Sequence, residues 1–369
     1  MNFWVFTDMK SAMKTATLLL LFAVGWLGCD SSDPAAVGPD PPAVEEYIGL
    51  KTVAPYPVGV ALQARHLTSV PHTGVVVRVF SSITAEYEMK MEPLFTGPGT
   101  YAWSAADALV SYAEAQGLQV HGHTLVWHQT APPWLENFAG DDAAFEDIVR
   151  EYITTVVQRY RGRIVSWDVV NEAFEDGTGA LRNSVFRRRM GPDYLARLFH
   201  YARDADPDVL LFYNDYGTIW DPQKRAAMLA MVDDFQARGI PLDGVGLQVH
   251  ITYNWPPLTD IVNTMDELVR RGLKIHLSEL DVRVNPDGDI TTLTPARSQA
   301  QKARVKALVS AFNALPSENR FAITLWGLRD PESWLIDFWG RPDWPLLFDA
   351  DYRPKPAYEG FLEALQEDF

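Results

Sequence analysis

Short apolar runs alternate with longer amphipathic runs along most of the chain, starting at Tyr47. The short runs are rich in β-branched and aromatic residues and predict buried strands. The longer runs have the spacing of amphipathic helices, and Gly117, Gly239 and Gly272 follow three of them as natural stops. The predicted strands cover residues 58–62, 82–86, 119–127, 164–171, 209–215, 245–251, 274–282 and 321–326. The predicted helices cover residues 105–116, 141–159, 193–204, 222–238, 258–271, 295–312 and 357–366.

Strands that alternate with helices in this way predict an α/β protein, namely a (β/α)8 TIM barrel over residues 47–369. A doubly wound open sheet is the alternative. It would normally carry a glycine-rich phosphate turn after its first strand, and this sequence has none there. We see neither an internal repeat nor a second folded domain in the sequence.

Residues 1–29 have the pattern of a targeting segment. Lys10 and Lys14 precede an uncharged apolar run over residues 16–27, which is too short to span a bilayer but suits a signal peptide. The run leads into Cys29, and this ending resembles a bacterial lipoprotein signal, in which the cysteine becomes the lipidated first residue. An ordinary cleaved signal peptide is the alternative.

Residues 30–46 are rich in Asp, Ser and Pro and predict a disordered linker. Together with the signal, this linker predicts an exported protein, either a cell-envelope lipoprotein (periplasmic or surface) or a secreted protein. Contact with the membrane is then expected only through the N-terminal lipid. Translation could start at Met1, Met9 or Met13, and the two later starts give a conventional short basic region.

The formal net charge of −16 argues against nucleic acid as a partner, because phosphates require a basic surface. A neutral polysaccharide suits this surface better. The 12 Trp and 14 Tyr residues favour it weakly, since sugar rings stack on aromatic faces, although any single Trp is more often a core residue. Cys29 is the only cysteine in the sequence, so no intramolecular disulfide forms.

Polar side chains occur where the predicted strands end. The carboxyl ends of barrel strands carry the chemistry in this fold, so these side chains are the candidate site. The candidates, in chain order, are Glu86, Lys90, His123, Trp127, His128, Asn171, Glu172, Tyr216, Gln248, His250, Glu279, Asp281, Trp326 and Trp334. His121 shares a strand face with His123 and raises the question of a metal.

Other chemistries lack their signatures in this sequence. There is no H-E-x-x-H pair and there are no cysteine ligands for a metal, no G-x-S-x-G turn for a serine nucleophile and no glycine-rich phosphate loop. We therefore expect no metal and no cofactor. What remains is chemistry that two carboxyl groups can perform.

Glu172 and Glu279 each follow an apolar run and are the two carboxyl groups that a retaining glycosidase needs. Glu172 is the better acid, because Asn171 beside it is a neutral donor that can hold a sugar hydroxyl. Glu279 is the better nucleophile, because His250 and Asp281 can support it as a carboxylate. The indoles of Trp127, Trp326 and Trp334 would be sugar platforms, and Glu86, Lys90, His123 and Gln248 would bind hydroxyl groups.

Seven stretches together resemble the motifs of family 10 glycoside hydrolases, the endo-β-1,4-xylanases, in the order that the family has them. They are S-I-T-A-E-Y-E-M-K (82–90), H-G-H-T-L-V-W-H (121–128), W-D-V-V-N-E (167–172), Y-N-D-Y (213–216), G-L-Q-V-H (246–250), S-E-L-D-V (278–282) and L-W-G-L (325–328). The resemblance covers roughly residues 48–367. It implies a (β/α)8 barrel and retaining hydrolysis of xylan, with Glu172 as acid/base and Glu279 as nucleophile. It also implies glycone-side binding by Glu86, Lys90, His123, Trp127, Asn171, Gln248, His250, Trp326 and Trp334.

The sequence departs from the family pattern at four positions. Tyr87 stands where the family has an Asn that helps to bind the sugar two positions before the cut. Thr130, His121 and Met91 replace the usual Gln, Arg and Trp. Three functions remain open: a monomeric endo-xylanase, a retaining β-glycanase of altered glycone specificity, and a non-catalytic cell-surface glycan-binding protein. The last would be expected to lack Glu172 or Glu279.

Overall fold

The structure, a computed structural model, describes residues 47–367. Eight parallel strands form its centre: β1 (Val58–Leu62), β2 (Ser82–Ala85), β3 (Gln119–Gly122 and Val126–Trp127), β4 (Ser166–Asn171), β5 (Leu210–Asp215), β6 (Gly244–Leu247 and His250–Thr252), β7 (Lys274–Arg283) and β8 (Arg320–Leu325). Each strand pairs with the next, and β8 pairs with β1, so the sheet closes on itself. The (β/α)8 barrel predicted from the sequence is confirmed.

Eight helices follow the strands in turn. They are α1 (Val70–Val79), α2 (Ser104–Gln116), α3 (Asp142–Arg159), α4 (Tyr194–Ala205), α5 (Pro222–Arg238), α6 (Leu258–Val269), α7 (Pro295–Asn313) and α8 (Pro356–Leu365). Side chains of Asp141, Asp221 and Thr294 cap the first turns of α3, α5 and α7. The helices α2 and α5 end at Gly117 and Gly239, whose φ angles of 67° and 68° favour glycine.

The barrel strands are buried on both faces. All five residues of β1 and all six of β4 are buried, because the barrel interior covers one face and the helices cover the other. This double burial explains why the strands read as nearly continuous apolar runs in the sequence. A polar side chain within such a run has no access to bulk water, so it needs a partner in the barrel or a place at its mouth.

Three features differ from the sequence prediction. The third and sixth strands were predicted as continuous, but β3 is interrupted at residues 123–125 and β6 at residues 248–249. The helix α1 was not predicted, because its sequence V-P-H-T-G-V-V-V-R-V is rich in β-branched residues. A two-stranded antiparallel hairpin, Phe95–Gly97 with Thr100–Tyr101, lies between β2 and α2.

The predicted signal segment, Cys29 and the whole of the predicted linker lie outside the described residues. Across residues 47–367, no helix has both the length and the apolar character needed to cross a membrane.

Candidate active site

Glu172 lies just after β4, and Glu279 lies in the second half of β7. Glu172 directly follows the last residue of β4, and its side chain is 6 % exposed. Glu279 lies within β7 and is 5 % exposed. Both carboxyl groups are thus largely removed from water, where hydrogen bonds and charges act strongly on them.

Charged and neutral donors surround the Glu279 carboxylate. His250 Nε2 lies 3.1 Å from Glu279 Oε2, and Asn214 Nδ2 donates to Glu279 Oε1 over 2.7 Å. Burial by itself would raise the pKa of Glu279. The hydrogen bond from His250 and the nearby charges of His123 and Lys90 outweigh this effect and lower the pKa below its usual value. The site therefore keeps Glu279 ionised.

His250 is itself held between two carboxylates. Its Nδ1 lies 2.8 Å from Asp281 Oδ2, while Nε2 faces Glu279. Burial would lower the pKa of this imidazole, but Asp281 and Glu279 together raise it to about 10. Trp334 Nε1 donates to the same Asp281 oxygen over 3.1 Å, and its ring lies 5.0 Å from that of His250. His250 is thus a cation, and contacts at both of its ring nitrogen atoms hold it in place.

Neutral donors surround the Glu172 carboxyl group. Trp127 Nε1 lies 2.9 Å from Glu172 Oε2, and Gln248 Nε2 lies 3.0 Å from Oε1. Asn171 Nδ2 lies 3.3 Å from Oε1. Indole and amide groups are uncharged, so these contacts orient the carboxyl group without supplying a positive charge.

Amide groups connect the two carboxyl groups. Asn171 Oδ1 accepts from Asn214 Nδ2 over 3.0 Å and from Gln248 Nε2 over 3.2 Å. Because Asn214 also donates to Glu279 and Gln248 also donates to Glu172, this one oxygen joins both carboxyl environments. Gly246 on β6 leaves room for the arrangement, since a Cβ there would lie 2.2 Å from Asn214 Oδ1.

Lys90 lies over the aromatic floor of the site. Its Nζ is 4.8 Å from the centre of the Trp127 ring and 6.0 Å from that of Trp326. Burial lowers the pKa of Lys90, and the carboxyl groups of Glu279, Glu86 and Glu172 oppose this effect. Lys90 therefore lies within electrostatic reach of both carboxyl groups.

A buried histidine pair lies beneath this floor. Asp168 Oδ2 is 2.8 Å from His123 Nδ1 and 3.0 Å from His121 Nε2. Burial would raise the pKa of Asp168, but the two histidines hold it well below its usual range. The ring of His123 lies 5.3 Å from that of Trp326. Asp168 thus fixes the orientation of an imidazole that faces the site.

The remaining predicted residues lie around the same mouth. His128 faces Glu172, and burial lowers its pKa to about 4. Glu86 begins the loop after β2 and accepts from Gln63, and burial raises its pKa. Tyr216 follows β5 and contacts Arg182 and Asp176. Tyr87, one of the four departures from the family pattern, is 46 % exposed on the loop after β2.

Sequence reasoning did not select Asn214 or Asp168. Asn214 stands in the Y-N-D-Y stretch, but an uncharged amide there gives no sign that it connects two other strands. Asp168 lies inside the apolar strand β4. A carboxyl group among apolar neighbours in a buried strand needs a partner, and this was the signal that could have identified Asp168. Among residues 47–367, no group of three or more His, Cys, Asp or Glu side chains is arranged to hold a metal ion.

A closed parallel barrel with two buried carboxyl groups has the parts that a glycoside hydrolase requires. The sequence profile of glycosyl hydrolase family 10 matches residues 50–364. The chain belongs to this family.

Characterised relatives share this domain. Endo-1,4-beta-xylanase A of Cellvibrio japonicus is 39 % identical in an alignment of 347 residues that covers 86 % of this chain and 56 % of the relative. Endo-1,4-beta-xylanase B of Paenibacillus barcinonensis is 35 % identical in an alignment of 314 residues that covers 82 % of this chain and 93 % of the relative. The chain spans about half the length of the first relatives that it matches.

Solved structures agree with this assignment. A mutant of xylanase 10C from Cellvibrio japonicus in complex with xylopentaose has a TM-score of 0.84 and 37 % identity. The match covers 88 % of this chain and 70 % of that one. A thermostable mutant of Xyn10A from the same organism has a TM-score of 0.81 and 38 % identity, over 86 % of this chain and 99 % of that one.

Proposed function

We propose that the protein is an endo-acting retaining β-1,4-xylanase that cleaves xylan by double displacement. The observation that carries this proposal is the pair Glu172 and Glu279, which are buried just after β4 and in the second half of β7 and are joined through shared amides. Their surroundings differ in charge, as two carboxyl groups with different tasks require.

In the first step, the Glu279 carboxylate attacks the anomeric carbon while Glu172 gives its proton to the leaving oxygen. The lowered pKa of Glu279 supports the role of nucleophile, because the attacking group has to be ionised. The donors around Glu172 support the role of acid, because they hold its carboxyl group in place without the cationic hydrogen bond that Glu279 receives from His250. The bond to the leaving sugar breaks, and an ester to Glu279 forms.

In the second step, Glu172 accepts a proton from water, which attacks the same carbon and releases Glu279. The product keeps the configuration of the substrate because two inversions have occurred. His250 and Asn214 stabilise the departing carboxylate through the hydrogen bonds that hold Glu279 in the free enzyme.

Xylan as the substrate follows from the family and from the xylanase names of the relatives. The sugar platforms are Trp127, Trp326 and Trp334, and Lys90 between the first two is placed to donate to hydroxyl groups. Glu86, His123, Asn171, Gln248 and His250 complete the glycone side in this proposal, with Tyr216 nearer the leaving group.

Release of reducing ends from xylan, glucan and mannan tests the substrate, and NMR of the first anomer formed tests retention. We expect xylan to be cleaved internally into β-configured products. Absence of activity on xylan together with cleavage of another β-glycan would favour the alternative of altered glycone specificity. The observation in favour of that alternative is the exposed Tyr87 ring in place of an amide.

A purely glycan-binding role is the third candidate. The presence of both carboxyl groups speaks against it. Binding of xylan by the wild type without release of reducing ends, with the same binding in Glu279→Ala, would favour the binding role and contradict the enzyme.

The location of the protein is also a proposal. We propose export as a Cys29 lipoprotein or as a secreted enzyme, with residues 30–46 as a linker and residues 47–369 as a monomeric catalytic domain. Incorporation of labelled palmitate into the wild type but not into Cys29→Ser tests the lipid anchor. Light scattering of residues 47–369 tests both the domain boundary and the monomer.

A further inference from the structure

The backbone of Glu172 adopts an uncommon conformation. Its φ angle is 57°, in the left-handed region that non-glycine residues seldom occupy. Such a conformation costs free energy and persists only where the surroundings hold it. The surrounding contacts therefore decide where the carboxyl group of Glu172 points.

Side chains hold the peptide groups on the carboxyl side of this residue. Arg182 Nε donates to the carbonyl oxygen of Glu172 over 3.0 Å, and the hydroxyl of Tyr213 accepts from the N–H of Ala173 over 3.1 Å. On the other side, the N–H of Glu172 donates to the carbonyl of Asn214 over 2.9 Å. The conformation is thus fixed from β5 and from the loop after β4.

Tyr213 is in turn oriented by a buried ion pair. Its hydroxyl donates to Asp215 Oδ2, and Asp215 Oδ1 lies 2.8 Å from Lys224 Nζ. Lys224 and Asp215 are 0 % and 1 % exposed. Lys224 Nζ also donates to Asp176 over 2.9 Å.

The same ion pairs orient Arg182. Asp176 Oδ2 accepts from the hydroxyl of Tyr216 over 2.5 Å, and Arg182 donates to that hydroxyl over 2.9 Å. Both side chains that hold the Glu172 backbone therefore depend on Lys224. A buried ion pair of this kind contributes little net stability, and neither chemical step proposed above uses it.

We propose that Tyr213 and Asp215 are positioning residues, which hold the backbone of Glu172 so that its carboxyl group reaches the leaving oxygen. This inference rests on the proposed function and names residues for its proton-transfer step. Burial raises the pKa of Asp215 to about 6 despite Lys224, and the charge of Glu172 adds to this effect, in keeping with close electrostatic coupling.

Proton donation matters most for leaving groups that are poor without it. Displacement of Glu172 should therefore slow the cleavage of a phenyl glycoside much more than that of a dinitrophenyl glycoside, because dinitrophenolate departs unprotonated. The ratio kcat/KM isolates the first step, because it excludes the later attack of water, in which Glu172 acts again as base.

The decisive variant is Tyr213→Phe, which keeps the ring and removes only the hydroxyl. We expect kcat/KM for phenyl β-xylobioside to fall about 30-fold and that for dinitrophenyl β-xylobioside to fall less than about threefold, with KM nearly unchanged. Equal losses on the two substrates would overturn the proposal. Asp215→Asn removes the charge but keeps an acceptor oxygen, so a smaller loss with the same dependence on leaving group is expected.

Tyr56→Phe is the matched control. Tyr56 is also buried and donates to Asn313 over 2.5 Å, but it lies before β1 at the opposite end of the barrel. Tyr56→Phe should lower the free energy of unfolding. Any loss in its kcat/KM should be the same for the phenyl and the dinitrophenyl substrate. Failure of both Tyr213→Phe and Asp215→Asn to fold would also overturn the proposal, since the residues would then be structural. A wild type inactive on both aryl xylobiosides would instead refute the proposed function itself.

Discussion

The surroundings of the two carboxyl groups differ in the charge of their hydrogen-bond donors. Glu279 receives a hydrogen bond from His250, whose pKa is raised to about 10, and the charge of Lys90 reaches it as well. Glu172 receives hydrogen bonds from the indole of Trp127 and the amide of Gln248. A cationic donor stabilises a carboxylate by its charge as well as by its hydrogen bond, whereas a neutral donor contributes the hydrogen bond alone. The same residue type can therefore perform two tasks in one site.

The largest expected effect is that of Glu279→Ala, which removes the ionised member of the pair. We expect kcat on xylan and on every aryl xylobioside to fall by on the order of 10⁵-fold, because no covalent intermediate forms. Added azide should restore some cleavage and give the α-azide, since it attacks from the face that Glu279 occupied. Asp287→Ala, an exposed carboxylate beyond the same strand, is the control and should keep full activity. Loss of less than tenfold would remove Glu279 from the reaction.

Glu172→Ala should show a loss that depends on the substrate. General acid catalysis contributes about 10²- to 10⁴-fold, so kcat/KM for phenyl β-xylobioside should fall by about 10³-fold. The loss for dinitrophenyl β-xylobioside should be less than about tenfold. Azide should now give the β-azide by attacking the ester on Glu279. Glu175→Ala, on the same loop but outside the carboxyl network, is the control. A substrate-independent loss would mean that the two carboxyl groups do not differ in role.

The sequence predicted the barrel well, and the reason lies in double burial. Strands such as β1 and β4 are covered on both faces, so their apolar runs stand out against the polar loops. The helix α1 escaped prediction because its Val-rich sequence favours a strand locally, while contacts in the folded barrel make it a helix. The interruption in β3 also depends on the fold, since Thr124 and Leu125 donate to the carbonyl of Asp168 on β4.

Both carboxyl groups of the candidate site could be found from sequence because each ends an apolar run. The contacts that connect the two carboxyl groups could not be found in this way. Asn214 matters because β4, β5 and β7 bring Asn171, Asn214 and Glu279 together, and no spacing along the chain encodes that meeting. The left-handed backbone of Glu172 is likewise invisible in a sequence, because Glu has no preference for that conformation.

His250→Asn tests the role of the cationic hydrogen-bond donor beside Glu279. It should lower kcat about ten- to a hundredfold at pH 7, because a charge-assisted hydrogen bond to Glu279 is lost. The folded-state pKa of His250, about 10, lies above the ordinary value of 6.5. The stabilisation from its protonation is therefore fully present below about pH 6.5 and is lost as the pH rises through about 10, by at most about 1.4 kcal/mol per pH unit.

Urea unfolding of the wild type and His250→Asn between pH 6 and 10 measures this dependence. The difference between their free energies of unfolding should shrink as the pH rises. His200→Asn, at an exposed position on α4, should show no such trend. A difference that stays constant over this range would show that His250 is not a cation in the folded enzyme, and the contrast with Glu172 would then disappear.

Tyr87→Asn is expected to give the smallest effect. It tests whether the polar surroundings of Glu279 continue into the part of the site that binds the sugar. Lys90, which faces Glu279, and Tyr87 share the loop after β2, and the Tyr87 ring is 46 % exposed where the family has an amide. One added hydrogen bond should lower KM for an aryl β-xylobioside about two- to tenfold and leave an aryl β-xyloside unchanged, because only the former places a sugar two positions before the cut. Tyr87→Phe, which keeps the ring, should behave as the wild type. A higher KM in Tyr87→Asn would instead mean that the ring itself contacts the sugar, so that this side of the cleft binds by stacking rather than by polar contacts.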